Sequence, residues 1–194
     1  MNFADLELEY DTFGDPADPA LVLVMGLGAQ MTTWDEGFCA LFAEQGFHVI
    51  RYDNRDVGLS TSLDHLPQPD LAAVFAGDTT TAPYLLADLA ADLIGLLDAL
   101  GIERAHVVGA SMGGMIVQQA AIDHPERLLS LCSIMSTTGD PSVGHGKPEV
   151  IATLGPPAPP PPQEVNAEGR AAARGAPAPR LAVDEAGARE PRAG

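Results

Sequence analysis

The sequence predicts an α/β fold, a mostly parallel sheet with helices on both faces, and three observations predict it. Short apolar runs recur at residues 21–24, 47–52, 105–108 and 128–135, the pattern of strands buried on both faces. Between them lie segments whose apolar residues repeat at helical spacing. The order is strand, helix, strand, helix, strand, helix, strand, and crossovers of this kind join parallel neighbours.

Ahead of these runs, 6–12 alternates as a strand, and the Gly, Asp and Pro residues of 14–19 form a turn. The run 21–24 leads into the flexible loop Met25-Gly26-Leu27-Gly28. Thr33 and Glu36 read as a capping box for a helix carrying Trp34, Phe38, Leu41 and Phe42, with Gly46 as its stop. Strand 47–52 ends in the polar loop 53–60. Thr81 and Pro83 open the strongest helical pattern, in which Leu85, Leu86, Leu89, Leu93, Leu96, Leu97 and Leu100 share one face while Asp88 and Asp98 point elsewhere. Gly101 closes it. Strand 105–108 then runs into a helix over 112–122, stopped by Pro125, before the last strand at 128–135.

The charge balance excludes several functions. Of 27 acidic and 10 basic residues, which leave a net charge of -17, the first 154 residues hold 22 acids and 5 bases. Such a body repels phosphate backbones and anionic lipid, so neither nucleic acid nor membrane is expected as a partner. Cys39 and Cys132 sit in apolar segments at no metal-ligand spacing and read as two buried, reduced thiols rather than a disulfide. No signal peptide is visible in residues 1–10, and no apolar run approaches membrane length. The expected location is the cytoplasm. Without a metal cluster or dinucleotide fingerprint, no cofactor is expected.

Residues 1–154 form the predicted domain, and composition changes abruptly at Gly155. The last 40 residues contain 11 Ala, 9 Pro, 5 Gly and 5 Arg, with no aromatic residue. So little apolar surface cannot offset the entropy of ordering, so 155–194 is predicted to be a disordered tail. Two origins stay open. It is a native Pro/Ala-rich segment, with 156–162 extended and read by a partner, or it is a GC-rich gene translated out of frame, since Ala, Pro, Gly and Arg have codon families beginning with two G or C bases.

The chemistry-bearing motif is Gly109-Ala110-Ser111-Met112-Gly113, which fits Gly-x-Ser-x-Gly. Three fixed positions say little alone, but this one follows a strand directly and opens a helix. A sharp turn there strains the central residue, tolerates only small flanking residues and lifts the Ser111 hydroxyl to the carboxyl end of the sheet. The Met112 N–H and the positive helix end can then hold a developing oxyanion. A second donor is expected from Leu27, with Gly26 and Gly28 letting the backbone come close. The alternatives are an ordinary Gly-rich turn and a plain loop.

The stretches 21–30, Arg51 to Ser60 and Val107 to Gly114 resemble the amino-terminal half of an α/β-hydrolase. Within that superfamily they are similar to the bacterial esterase branch that includes aclacinomycin methylesterase. The resemblance covers roughly residues 2–154 and implies an incomplete α/β-hydrolase fold, Ser111 as nucleophile, and Leu27 and Met112 as oxyanion donors. Met25-Gly26 stands where many relatives have His-Gly, a tolerable departure because the donor is backbone. Asp53, Arg55 and Gly58 match a family loop that supports the site. Ser at 111 argues against the epoxide-hydrolase and haloalkane-dehalogenase branches, which attack with a carboxylate. A small-molecule ester is the implied substrate.

A serine hydroxyl needs a base, and in this fold the acid and histidine follow the serine. Downstream lie His124, at the far end of a helix, and His145, in a loop past the last strand. Asp140 is a candidate substitute acid, and the tail adds Glu164, Glu168, Asp184, Glu185 and Glu190. His48, His65 and His106 read as structural. No recognisable triad can be assembled, so activity is expected to be impaired. Without later strands, 128–135 becomes a sheet edge with unpaired backbone, and self-association, aggregation or pairing with another chain is expected. The readings carried forward are a serine hydrolase of small neutral or apolar carboxylic esters, a catalytically inactive hydrolase half or binding module, and a cofactor-free haloperoxidase or perhydrolase using the same serine.

Overall fold

The structure, a computed structural model, describes residues 6–70, 73, 78–140, 142 and 180–183. Among them the chain forms β1 (Leu6–Phe13), β2 (Ala20–Val24), α1 (Glu36–Ala43), β3 (His48–Tyr52), α2 (Leu86–Ala99), β4 (Ala105–Ala110), α3 (Met112–Asp123), β5 (Leu128–Ile134) and β6 (Arg180–Val183). The sheet order is β5-β4-β2-β3-β1-β6. The central strands β3, β2, β4 and β5 are parallel, and β1 runs antiparallel to both β3 and β6. This is the predicted α/β architecture.

Alternate residues of β2 feed two cores, one on each side of the sheet. Val22 and Val24 join Ile50, Tyr52, Val107 and the α2 and α3 side chains Leu89, Leu93, Leu96, Leu97, Ile116 and Val117. Leu21 and Leu23 face the other way, toward Trp34, Cys39, Val49 and Ala110. A strand that is apolar at every position is therefore required, because neither face meets water.

Local chemistry moves several predicted boundaries. Thr33 does not cap α1; residues 31–33 form a 3-10 turn, and Asp35 caps the helix by accepting the Gly37 N–H at 2.8 Å. A carboxylate serves here as well as a hydroxyl and also suits the positive helix end. Helix α2 begins at Leu86 rather than near Thr81, because Asp88 reaches back to accept the Leu85 N–H at 2.7 Å and closes the first turn. Leu85 is thereby left 47% exposed instead of joining the core. Asp98 does point away from the core and meets Arg127 at 2.6 Å.

Two further expectations change. Cys39 is buried but Cys132 is exposed, because β5 lies at the sheet edge; both thiols are free. In the stretch predicted to be disordered, residues 180–183 form β6, with Leu8 opposite Leu181 and Glu9 opposite Arg180. The outer main-chain groups of β1 supply the hydrogen bonds of this short strand. The remainder of 155–194 lies outside the described residues.

Asp92 carries no signal in the sequence pattern. Its carboxylate takes Arg55 Nε and Nη2 at 2.7 and 2.6 Å, and the two side chains are 1% and 0% exposed. The Arg55 guanidinium also lies 5.1 Å from the centre of the Tyr84 ring. This pair ties the loop after β3 to α2 in a buried site, where a lone charge would be costly. Asp92→Ala should therefore lower unfolding stability by about 3–5 kcal/mol in urea denaturation, a far larger loss than an exposed Asp98→Ala should cause.

Candidate active site

Ser111 joins β4 to α3 with φ 55° and ψ -122°, a conformation that non-glycine residues rarely adopt. Three neighbours hold it there. Its N–H donates to the Ile134 carbonyl of β5 at 2.9 Å, and its own carbonyl accepts the Gly114 N–H at 2.9 Å. Gly26 packs directly against its side chain: a methyl group there would lie 3.0 Å from Ser111 Cβ and 3.4 Å from Oγ.

The small residues of the motif have distinct tasks. A Cβ on Gly113 would overlap the Val24 carbonyl, and one on Gly109 would overlap the Gly113 carbonyl. The first turn of α3 thus rests on the ends of β2 and β4 with only hydrogen between them. Gly114, which the motif does not include, fills the same role toward Ser133 and Ser136. Gly28 has a positive φ of 67° but open space around it, so its backbone angle, not crowding, is what a side chain would strain.

The loop after β2 is braced from β3. Asn54 Nδ2 donates to the Met25 carbonyl at 3.0 Å, and Asp53 Oδ1 accepts the Met31 N–H at 2.7 Å. Between these anchors the Ala29 N–H reaches the Gly26 carbonyl at 3.3 Å. That bond sets the plane of the Gly26–Leu27 peptide and hence the direction of the Leu27 N–H. Among the described residues, neither the Leu27 N–H nor the Met112 N–H donates to another group. Leu27 itself is 75% exposed.

Asp53 acts through this loop and through Gly58. Its second oxygen accepts the Leu59 N–H at 3.1 Å, and a Cβ on Gly58, which has φ 56°, would overlap the carboxylate. Burial pushes its pKa up, against the lowering effect of the Met31 and Leu59 N–H groups and of Arg51. Arg55 ties the same loop to α2 through Asp92. Asn54 escapes sequence reasoning because nothing in its spacing separates it from a solvated loop residue.

Of the candidate bases and acid, His124 and Asp140 are described, and neither bonds to Ser111. His124 caps the opposite end of α3, 12 residues and about 18 Å of helix from the elbow, with Nδ1 4.0 Å from Glu126. Asp140 turns to Ser142, accepting its N–H at 2.7 Å and its hydroxyl at 2.6 Å, which holds the carboxyl below its usual range. His145 and the tail acids lie outside the described residues. His48 is buried in β3 with its pKa lowered by burial, His106 binds Ser130 Oγ at 2.7 Å, and His65 is exposed. Among the described residues no cluster of His, Cys, Asp or Glu could hold a metal, and no helix is long and apolar enough to cross a membrane.

A family model of the alpha/beta hydrolase fold matches residues 19–158. The chain belongs to this family. It is 39% identical over 66% of its length to rhodomycin D methylesterase DauP of Streptomyces sp. strain C5, and 37% identical over 63% to 3-oxoadipate enol-lactonase 2 of Acinetobacter baylyi. These matches span 38% and 39% of the two relatives, so the chain covers about two fifths of their length. Among solved structures, the enol-lactonase of Burkholderia xenovorans LB400 matches with a TM-score of 0.53 and 30% identity over 65% of this chain and 42% of that one. A second, the 2-hydroxy-6-oxo-6-phenylhexa-2,4-dienoate hydrolase of Rhodococcus sp. strain RHA1, matches with a TM-score of 0.62 and 25% identity over 79% of this chain and 50% of that one. The family thus includes relatives named as esterases and lactonases.

Two measurements test this geometry. Gly113→Ala should cost about 3 kcal/mol or more in denaturant unfolding, because the methyl group meets backbone that cannot turn aside. For Asp53, a folded pKa above the ordinary 3.8 means that the native state binds more proton than the unfolded chain between those two values. Stability from this group is greatest at or below about pH 4, falls as pH rises through the folded pKa and is then constant. The stability of wild type relative to Asp53→Asn should follow that curve in pH-resolved denaturation.

Proposed function

We propose that the chain carries the nucleophile and oxyanion site of a serine hydrolase acting on small neutral or apolar carboxylic esters. The observation that carries this reading is the strained φ of Ser111 at the β4–α3 junction, with Gly26 pressed against its hydroxyl-bearing side chain. Backbone strain of this kind persists only where the surroundings enforce it, and it clusters at reactive sites.

In the proposed reaction Ser111 Oγ attacks the ester carbonyl and gives up its proton to a base. The carbonyl oxygen becomes an oxyanion, received by the N–H groups of Leu27 and Met112. Collapse re-forms the carbonyl and expels the alkoxide, which takes up the proton and leaves as an alcohol. The acyl group stays on Ser111 until water, deprotonated in the same way, attacks it, and the acid departs as Ser111 regains its proton. A body with 22 acids and 5 bases in its first 154 residues disfavours anionic esters at this site and favours neutral ones.

One observation supports a second reading, a hydrolase half that binds ester or acylates with little turnover. Among the described residues no imidazole or carboxylate hydrogen bonds to Ser111 Oγ. Removing triad members from serine hydrolases leaves the oxyanion hole and binding to supply a rate orders of magnitude below the intact site. A fluorophosphonate probe discriminates. Labelling of wild type and none of Ser111→Ala is the expected result; equal labelling of the two would remove Ser111 as nucleophile.

A further inference from the structure

Among the described residues three that are not glycine have a positive φ: Asp56, Ser111 and Met135. Ser111 and Met135 are neighbours. Each is the residue at which its strand, β4 or β5, leaves the sheet, with Ala110 opposite Ile134 in the parallel register. One bond joins the two turns, because the Ser111 N–H donates to the Ile134 carbonyl at 2.9 Å. That carbonyl and the Met135 nitrogen belong to a single planar peptide, so a change at Met135 moves the acceptor of the serine amide.

Met135 has φ 43°, a value that costs free energy in a residue with a side chain. Two contacts downstream keep it there. The Ser136 side chain lies against the first turn of α3, where a methyl group on Gly114 would come within 2.5 Å of Ser136 Cβ. One residue further, the Thr137 carbonyl accepts from Gln118 Nε2 at 3.2 Å. Gln118 stands on α3, and the same amide nitrogen lies 2.8 Å from the Gly114 carbonyl and 3.2 Å from Ser133 Oγ. The chain leaving β5 is thus drawn across the start of α3. A ring results, running from Ser111 along α3 to Gln118, across to Thr137, and back through Met135 and Ile134 to the serine amide.

We propose that Gln118 and Met135 are positioning residues for Ser111. Gln118 holds the turn after β5 in its strained form, and the strained Met135 keeps the Ile134 carbonyl aimed at the serine N–H. Their role rests on the reading of Ser111 as nucleophile, whose own strained φ this bond helps to enforce. Without the Gln118 donor, Met135 falls back to a negative φ and the Ile134–Met135 peptide turns. Ser111 then loses a bond that opposes its relaxation.

Amide hydrogen exchange on the isotope-labelled full chain reads that bond directly. The Ser111 amide should be protected in wild type and should exchange about tenfold faster in Gln118→Leu, the scale expected when a strained residue is released. Gln119→Leu is the control, since Gln119 Nε2 bonds to Asp123 at 2.7 Å, and it should leave the Ser111 amide unchanged. Met135→Gly, free to take a positive φ, should keep the protection. Met135→Pro, confined to about -65°, should lose it. A fluorophosphonate supplies the second readout: in Gln118→Leu the bond-forming rate constant at Ser111 should fall about tenfold with the affinity for the probe unchanged. An unprotected Ser111 amide in wild type, full protection in Gln118→Leu or Met135→Pro, an equal loss in Gln119→Leu, or wild-type labelling kinetics in Gln118→Leu would each overturn the proposal. If wild type itself does not label, the nucleophile reading fails, and exchange still decides whether the two residues hold the serine amide. Should Gln118→Leu or Met135→Pro not fold, the other decides; if neither folds, both residues are braces of the whole fold and the proposal is lost.

Discussion

The site depends on how closely one helix start approaches two strand ends. Gly113 lets the first turn of α3 lie against the Val24 carbonyl, and Gly109 leaves room for the Gly113 carbonyl. That contact forces the chain to turn within one residue, and Ser111 takes the positive φ that results. Side chains larger than hydrogen at either glycine would push α3 outward, and the serine would relax into an ordinary strand-to-helix link. The geometry of Ser111 is a consequence of backbone packing before it is a property of any functional group.

A second layer of organisation comes from β3. The strand is too far along the sheet to contribute a reacting group, yet the loop that follows it steadies the loop after β2 through Asn54 and Asp53. Burial makes the Asp53 carboxylate costly to ionise, while two N–H groups offset part of that cost. The loop after β3 is itself locked to α2 by Arg55 and Asp92. The order of dependence runs from α2 to the β3 loop, from there to Met25 and Met31, and only then to the serine.

Much of this was legible in the sequence because hydrophobic patterning responds to burial. The runs at 21–24 and 105–108 report sheet positions covered on both faces, and the leucines of α2 report one buried stripe. Ser111 was legible because its motif follows a strand and opens a helix, a context that few Gly-rich turns share. Polar contacts between distant segments have no such periodic trace. Asp92 sits in a helix beside leucines, and nothing local tells a buried carboxylate that meets Arg55, 37 residues away, from one facing water. Boundary errors had the same origin: Asp35 and Asp88 compete with nearby hydroxyls and Pro for the helix starts, and the outcome depends on which side chain reaches an amide. The pairing of β6 with β1 joins segments more than 160 residues apart, which no local pattern reports.

The two braces on the loop after β2 also divide it into regions of unequal mechanical freedom. Between the peptide held by Asn54 and the one held by Asp53 the backbone path is fixed at both ends, so an inserted residue there would swing the Leu27 amide out of line. Beyond Met31 the chain is free of that double anchorage until Arg51 takes the Trp34 carbonyl. An inserted residue would therefore disturb the surroundings of Ser111 more between the two anchors than beyond them.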